Sequence, residues 1–421
     1  MEKRRVVVTG MGAVAPNGIG IENFWDSLVH GRSGVRRITH FDASTYPCQI
    51  AAEVPDFDPT NYMDPKTAKR LGKFAQFALA SAQMAMDDSD IDCNREDPYR
   101  MGVFIGTAIG GGDVSENQHN IFMEKGLKRI SPYAAIAIST HCASGIISCD
   151  FNLKGPNTTV SSGCNSGLDA CYLAYNAIRL GDADLMLVGA GEAPITPYIH
   201  GIFCASGYLS RENKEPRKAL KPYDAYSDGM VLGEGGGIII LEELQHALKR
   251  NAKIYGEVVG YSAANEAFDL FGVDSENGAM AFNLKQVLKN SNVDIREVDH
   301  INAHGNGLLS YDVGETEAIK EVFGELAYQI PITSIKPVTG HSISGTGIFQ
   351  VITSLLAMKY DAIPPTINIE NPDPRCDLNY VKSDWLKKEV QTVLINAHGF
   401  GGRLTALILK KLLSVKGKGN R

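Results

Sequence analysis

The chain has 421 residues, 44% of them hydrophobic, enough to bury the core of two domains or of two fused halves. Its formal net charge of −7 and the absence of a basic stripe before the short tail Lys410–Arg421 argue against nucleic acid as the main partner, and that tail is expected to be solvated. No run of eighteen apolar residues occurs, the start MEKRRVVVTGMG has no apolar signal core, and the eight cysteines show neither CxxC pairs nor zinc-type spacing; no membrane span, no metal site and reduced thiols in a cytoplasmic protein are therefore expected.

Taken in order, Arg5–Thr9 reads as an opening strand that ends at Gly10 and Gly12, followed by a loop and a helix around Glu22–Leu28. GMGAVAPNG lacks the spacings of phosphate-binding loops and is read as a strand-end turn. Residues Thr39–Asp64, rich in Pro, Asp and Tyr, read as a surface excursion, Ala68–Asp87 as a helix, and Met101–Gly106 as a strand feeding a glycine run. Pro156–Gly191 then reads as strand, tight turn, helix and strand: β-branched Thr158–Val160 predicts a buried strand, and Leu168, Cys171, Leu173, Ala174, Ala177 and Ile178 fall at helical spacing.

Cys164 lies at that turn, between Gly163 and Gly167. A thiol at the first turn of a helix feels the positive end of its dipole, which favours thiolate and is one way to mount a nucleophile. A small buried hydrophobe is the other reading of such a cysteine, and this stretch alone does not decide between them.

An internal echo bears on the choice. MGVFIGTAIGGG is answered by DHINAHGNG, TTVSSGCNSG by ITSIKPVTGHSISGTG, DLMLVGAGEAP by TVLINAHGFGG and GGIIILEEL by LTALILKKL, in the same order. Two similar halves, 1–250 and 251–421, are expected, with alternating strands and helices forming covered, mainly parallel sheets. Packed about a pseudo-twofold, they would bring the second half's strand-end turns, carrying His304, Lys336, His341 and Phe400, to face Cys164.

On these residues the chain resembles the β-ketoacyl-acyl-carrier-protein synthases, condensing enzymes of the thiolase fold. The matching motifs are SSGCNSG around Cys164, NAHG at 302–305, SIKPVTGH at 334–341, GFGG at 399–402 and NPDPRCDL at 371–378, and together they span the chain. SGLDA and APITP are closer to the catalytic ketosynthase subunit of type II aromatic polyketide synthases than to the fatty-acid enzyme. The resemblance implies an α/β fold of duplicated halves in an αβαβα layering. It implies that Cys164 takes an acyl group from an acyl carrier protein, and that the N–H groups of Cys164 and Phe400 form the oxyanion hole. His304 and His341 would stabilise the enolate of a decarboxylated malonyl unit, Lys336 would supply positive charge, and Phe400 would gate the acyl pocket. Asn306, Leu308, Gly399 and Gly401 would line the substrate path. No cofactor is implied, because the phosphopantetheine belongs to the carrier. A homodimer, or a heterodimer with a ketosynthase-like chain-length subunit, is implied as the assembly.

Four positions depart from the family pattern. Asn306 and Leu308 replace threonines that usually meet the pantetheine arm, Gln350 replaces a glutamate and is expected to hydrogen-bond Lys336, and His398 stands where a Phe or a small residue is usual. The competing readings are a non-catalytic chain-length partner, which would lack the cysteine; a thiolase, which would carry a second cysteine near the C-terminal glycine loop; and a scaffold protein.

Overall fold

The computed structural model describes residues 4–274 and 278–412, so the tail from 413 onward lies outside the described residues. Ten strands carry the architecture: β1 (Val6–Ala15), β2 (Met101–Gly106), β3 (Asn157–Val160), β4 (Leu185–Glu192), β5 (Gly235–Glu243), β6 (Gly256–Asn265), β7 (His300–Asn302), β8 (Ile332–Thr333), β9 (Thr392–Gly399) and β10 (Arg403–Lys410). The helices that matter for the site are α1 (Lys73–Ser89), α2 (Gly112–Lys125), α3 (Ser166–Leu180), α4 (Ala279–Ser291), α5 (Leu309–Phe323) and α6 (Gly345–Tyr360).

The strand order is β8-β7-β9-β10-β6-β1-β5-β4-β2-β3, a palindrome in which β1 to β5 mirror β6 to β10. All four echoed sequence pairs fall on symmetry-related strands. Parallel pairing is confined to the outer strands (β2 with β3 and β4, β7 with β8 and β9), while the returns β4–β5 and β9–β10 and the central β5–β1, β1–β6 and β6–β10 pairs are antiparallel. The two half-sheets join only through Val6–Val8 of β1 against Gly256–Val258 of β6. Between them lie α3 and α6, in one apolar cluster that takes Val188, Ile239 and Leu241 from the first half and Val393, Ile395 and Leu407 from the second. α1 packs outside the first half-sheet, α4 and α5 outside the second. Every residue of α6 from Gly345 to Met358 is buried, as a helix between two sheets requires. Among the described residues no helix is long and apolar enough to cross a membrane.

Three local expectations are corrected. The first strand does not stop at Gly10 but runs to Ala15, and its glycines are where α1 approaches: a Cβ on Gly10 would lie 2.4 Å from Ala85 O, and one on Gly12 2.1 Å from Ser81 O. β3 is not buried; it is the last strand of the sheet, paired on one side only, with Asn157 exposed and Thr158–Val160 half-buried. The 39–64 excursion is anchored by Ile50 and Ala51, both fully buried.

The two central helices cross at glycines. A Cβ on Gly167 would sit 2.7 Å from Ser344 O, and one on Gly347 2.7 Å from Leu168 Cγ. Gly167→Ala is therefore expected to lower stability by about 1–3 kcal/mol. Gly145→Ala, in the helix Cys142–Asp150 with nothing within 4 Å of the new Cβ, should be neutral or stabilising by about 0.5 kcal/mol. Urea denaturation of the two variants checks this, and equal effects would contradict the packing argument.

Candidate active site

Cys164 sits in a single 3₁₀ turn, Gly163–Asn165, immediately before α3. The turn is tied down on both sides: Ser166 Oγ donates to Gly163 O at 2.7 Å, Ser162 Oγ to Asp169 Oδ2 at 2.6 Å, and Asn165 Nδ2 reaches into the second half, to Ala397 O at 3.0 Å and Thr405 Oγ1 at 2.8 Å. The last pair of bonds fixes the cysteine against the end of β9. The backbone N–H groups of Cys164 and Phe400 both face Sγ, so two donors already converge where an oxyanion on a Cys164 adduct would form.

Burial pushes the Cys164 thiol up to about 11, against the opposing pull of Lys336 and those N–H groups. This corrects the expectation of a lowered thiol. The helix begins only at Ser166, and desolvation of the thiolate outweighs the dipole.

Cys164 opens on a cavity of about 170 Å³ that is also lined by Asn306, His341, His398, Gly399 and Phe400. Five of the expected residues or departures thus share one wall with it. Gly399 keeps its place small, since a Cβ there would lie 2.9 Å from Asn165 Oδ1 and 3.3 Å from Cys164 Cβ. Leu308 and Gly401 are not on the cavity wall: Leu308 caps the start of α5 with its N–H on Asn306 Oδ1 at 2.9 Å, and Gly401 donates its N–H to Leu270 O at 2.7 Å. Phe400 packs in an aromatic group, 5.0 Å from Tyr208 and 5.4 Å from Phe271 between ring centroids.

His304 and His341 lie beside each other, ring centroids 5.6 Å apart. Burial, then the charge of Lys336, holds both well below the ordinary histidine range, so both rings are neutral. Their tautomers follow from their neighbours. His341 Nδ1 accepts the Ile343 N–H at 3.1 Å, which leaves its proton on Nε2. His304 Nδ1 lies 3.3 Å from Lys336 Nζ, an ammonium that only donates, so its proton is on Nε2 as well. That His304 Nε2 has no partner among the described residues. Both imidazoles are therefore presented as N–H donors.

Lys336 is fully buried, and burial lowers its ammonium to about 8, with Glu315 opposing. It donates to His304 O as well as approaching Nδ1. Gln350 is not its partner: its amide nitrogen donates to Asn302 O and Ala303 O at 3.0 Å each and to Asn396 O at 3.2 Å. The buried carboxylate whose charge acts on the lysine is Glu315, on α5, which the sequence reading missed. It accepts from His304 N at 2.7 Å, Gly305 N at 3.0 Å, Tyr223 OH at 2.8 Å and Asn396 Nδ2. Tyr311, also on α5, lines the cavity. The available signal was Tyr311, Asp312 and Glu315 at i, i+1 and i+4 of one helix, two carboxylates on a face that has to be buried. Glu192 is a second missed group; it accepts from Ala108 N at 2.7 Å and Ile109 N at 3.1 Å and so shapes the far wall.

Two outcomes are expected from this geometry. Brief alkylation near pH 7.5 should label exposed Cys149 first, with labelling of Cys164 rising about tenfold per pH unit toward 11; peptide mapping against pH checks it, and a flat profile for Cys164 would contradict the buried-thiol argument. Gln350→Glu would place an acceptor opposite three carbonyl oxygens, which raises the new carboxyl's folded pKa above its unfolded ~4.3. The variant should match the wild type at low pH and lose about 1–3 kcal/mol progressively as pH rises above ~4.5. Melting temperatures at pH 4.5 and 8 test the sign, and an equal deficit at both would refute it.

Residues 3–247 match the Beta-ketoacyl synthase, N-terminal domain, and residues 255–370 the Beta-ketoacyl synthase, C-terminal domain. The chain is 40% identical to a 3-oxoacyl-[acyl-carrier-protein] synthase 2 of Coxiella burnetii, over 98% of this chain and 100% of that one. It is 41% identical to a putative polyketide beta-ketoacyl synthase 1 of Streptomyces halstedii, over 96% and 98%. Among solved structures it superposes with TM-score 0.91 and 33% identity on a chain of a type II PKS acyl-carrier protein in complex with its ketosynthase bound to the hexaketide, covering 98% of this chain and 100% of that one. With the duplicated thiolase-like fold, the cysteine turn and the two histidines in place, the chain belongs to the β-ketoacyl synthase family.

Proposed function

We propose that this protein is a β-ketoacyl-acyl-carrier-protein synthase of fatty acid or type II polyketide synthesis, joining an acyl group on Cys164 to a malonyl unit by decarboxylative condensation. The observation that carries this reading is that two backbone N–H groups face Sγ while two neutral imidazoles, both protonated on Nε2, lie beside the same cavity.

The minor thiolate form of Cys164 attacks the carrier thioester, its proton released to solvent; the Cys164 and Phe400 N–H groups hold the oxyanion, and the carrier thiolate leaves and is protonated in turn, so the exchange is proton-neutral. The malonyl thioester then offers its carbonyl oxygen to the Nε2–H groups of His304 and His341. As CO₂ departs, the electrons of the broken C–C bond form an enolate on that oxygen, and its carbon attacks the acyl-Cys164 carbonyl, expelling the thiolate. Lys336 keeps His304 Nδ1 an acceptor and so keeps its donor aimed at the substrate. Phe400 gates the acyl side and Asn306 meets the incoming arm. The pantetheine arrives with the carrier protein, so the scheme needs no cofactor of its own.

For the assembly, we favour a dimer through the last strand of the sheet. β3 has one unpaired edge, and the segment between β2 and β3 exposes Phe122, Met123, Leu127, Tyr133, Ile136 and Ile138. α2, in that segment, buries no residue within the chain. An open edge and an apolar face adjoining it suit a second copy, or a ketosynthase-like chain-length subunit.

The two half-reactions should separate on mutation. Cys164→Gln is expected to abolish acyl-enzyme formation and condensation while CO₂ release from malonyl-carrier continues or rises, because the side-chain amide stands in for the acylated thiol. His304→Ala or His341→Ala should instead lower CO₂ release by roughly 10²-fold or more, as for loss of an oxyanion donor. Intact mass and ¹⁴CO₂ release read the two steps, and condensation by Cys164→Gln would refute the scheme.

A further inference from the structure

The chemistry above leaves His398 unused. It sits in β9 two residues before Phe400, is 2% exposed, and lines the Cys164 cavity. Neither ring nitrogen has a hydrogen-bond partner among the described residues, although an unpaired polar group at this depth is destabilising. Two rings clamp it: His304, centroid to centroid 4.1 Å, and Tyr311 at 5.1 Å with planes 8° apart. Nε2 lies 3.9 Å from Glu315 Oε1, beyond hydrogen-bond reach.

The cavity lining is of two kinds: Ala108, Ile109, Phe203, Met230 and Ile343 are apolar and suit an acyl chain, whereas Asn306, His341 and His398, the last packed on His304, are polar. On the condensing reading, those polar residues receive the extender. The extender carries one polar group besides its thioester, the carboxylate that leaves as CO₂, and no donor assigned so far meets it.

We propose that His398 binds the free carboxylate of the extender through a ring N–H, an inference that rests on the condensing reading above. The extender carboxylate at a ring nitrogen and the Glu315 charge 3.9 Å from Nε2 together favour the doubly protonated imidazole, against the burial and the Lys336 charge that otherwise keep the ring neutral. The contact has a distinctive kinetic sign. The carboxylate is charged in the bound extender and becomes neutral CO₂ as the C–C bond breaks, so a hydrogen bond to it weakens on the way to the transition state. Such a contact lowers KM and kcat together. It also discriminates against a carrier lacking the carboxylate, whose arrival would leave the imidazole buried and unpaired.

Steady-state CO₂ release from malonyl-carrier, without an acyl donor, tests this in wild type, H398F and H398Q. H398F is expected to raise KM about tenfold, the scale of one charge-assisted hydrogen bond, and to raise kcat, leaving kcat/KM within a few-fold. H398Q keeps an N–H and should stay near the wild-type KM. Acylation of Cys164 in each variant, read by intact mass, reports an intact site. An unchanged KM in acylation-competent H398F overturns the proposal; so does an equal fall in kcat and kcat/KM, the mark of a contact made only in the transition state. A wild type that releases no CO₂ and forms no acyl-enzyme fails the condensing reading itself, whereas an active wild type with an indifferent H398F fails this inference alone.

Discussion

The site depends on how closely α3 and α6 can approach. Cys164 is mounted at the start of α3 in the first half, while His304, Lys336, His341 and Phe400 come from strand ends and turns of the second. These groups meet because Gly167 and Gly347 let the central helices touch nearly backbone to backbone. A methyl group at either crossing would push the halves apart by a fraction of an ångström or more, and oxyanion donors lose much of their value over such distances. Asn165 then locks the register by reaching across to β9 and β10.

Around that contact the protein buries an unusual amount of polar matter. Lys336 and Glu315 are both almost fully enclosed, and each is paid for by specific partners: the lysine by His304 O and Nδ1, the carboxylate by two backbone N–H groups, a tyrosine hydroxyl and an asparagine amide. The result is a set of charges that cannot reorient, which is the state in which charges act most strongly on a developing enolate. Gln350 serves the same end differently, by satisfying three carbonyl oxygens, of Asn302 and Ala303 at the end of β7 and of Asn396 within β9. A buried amide there keeps the loop that carries His304 in one conformation without adding charge.

How much of this was legible in the sequence depended on whether the relevant physics is local. The strand-glycine-turn pattern repeats along the chain, so Cys164, His304, His341 and Phe400 could be placed on facing turns from their neighbours alone. The duplication behind the palindromic sheet was legible for the same reason, but its pairing was not: mainly parallel strands are expected from the alternation, and five of the nine pairs among the ten strands are antiparallel. Glu315 was not legible, because its partners come from Tyr223 before β5, from β9 and from the turn after β7, and only the fold brings them to α5. The thiol's direction of shift was misjudged because helix dipoles are visible in sequence whereas burial is not. Leu308, three residues past NAHG, and Gly401, inside GFGG, lie off the cavity wall, since a motif gives order along the chain and not the direction of each residue. The exposed edge of β3 was misread because β-branched residues mark strands without telling an edge from a centre.

The position of β1 sets the order in which the molecule can be built. Of the strands of this sheet β1 is synthesised first, yet it lies at the middle, flanked by β5 and β6, which are complete only once residues 243 and then 265 have been added. Until then an apolar ten-residue strand, buried throughout in the native state, waits unpaired except at Val14 and Ala15, which meet Ile19 and Gly18. Contacts this distant in sequence make folding slow and leave the nascent chain exposed to pairing with other chains. Growth at low temperature or with added chaperone should thus govern soluble yield more than any surface substitution, and a fragment ending before β5 should be recovered as aggregate.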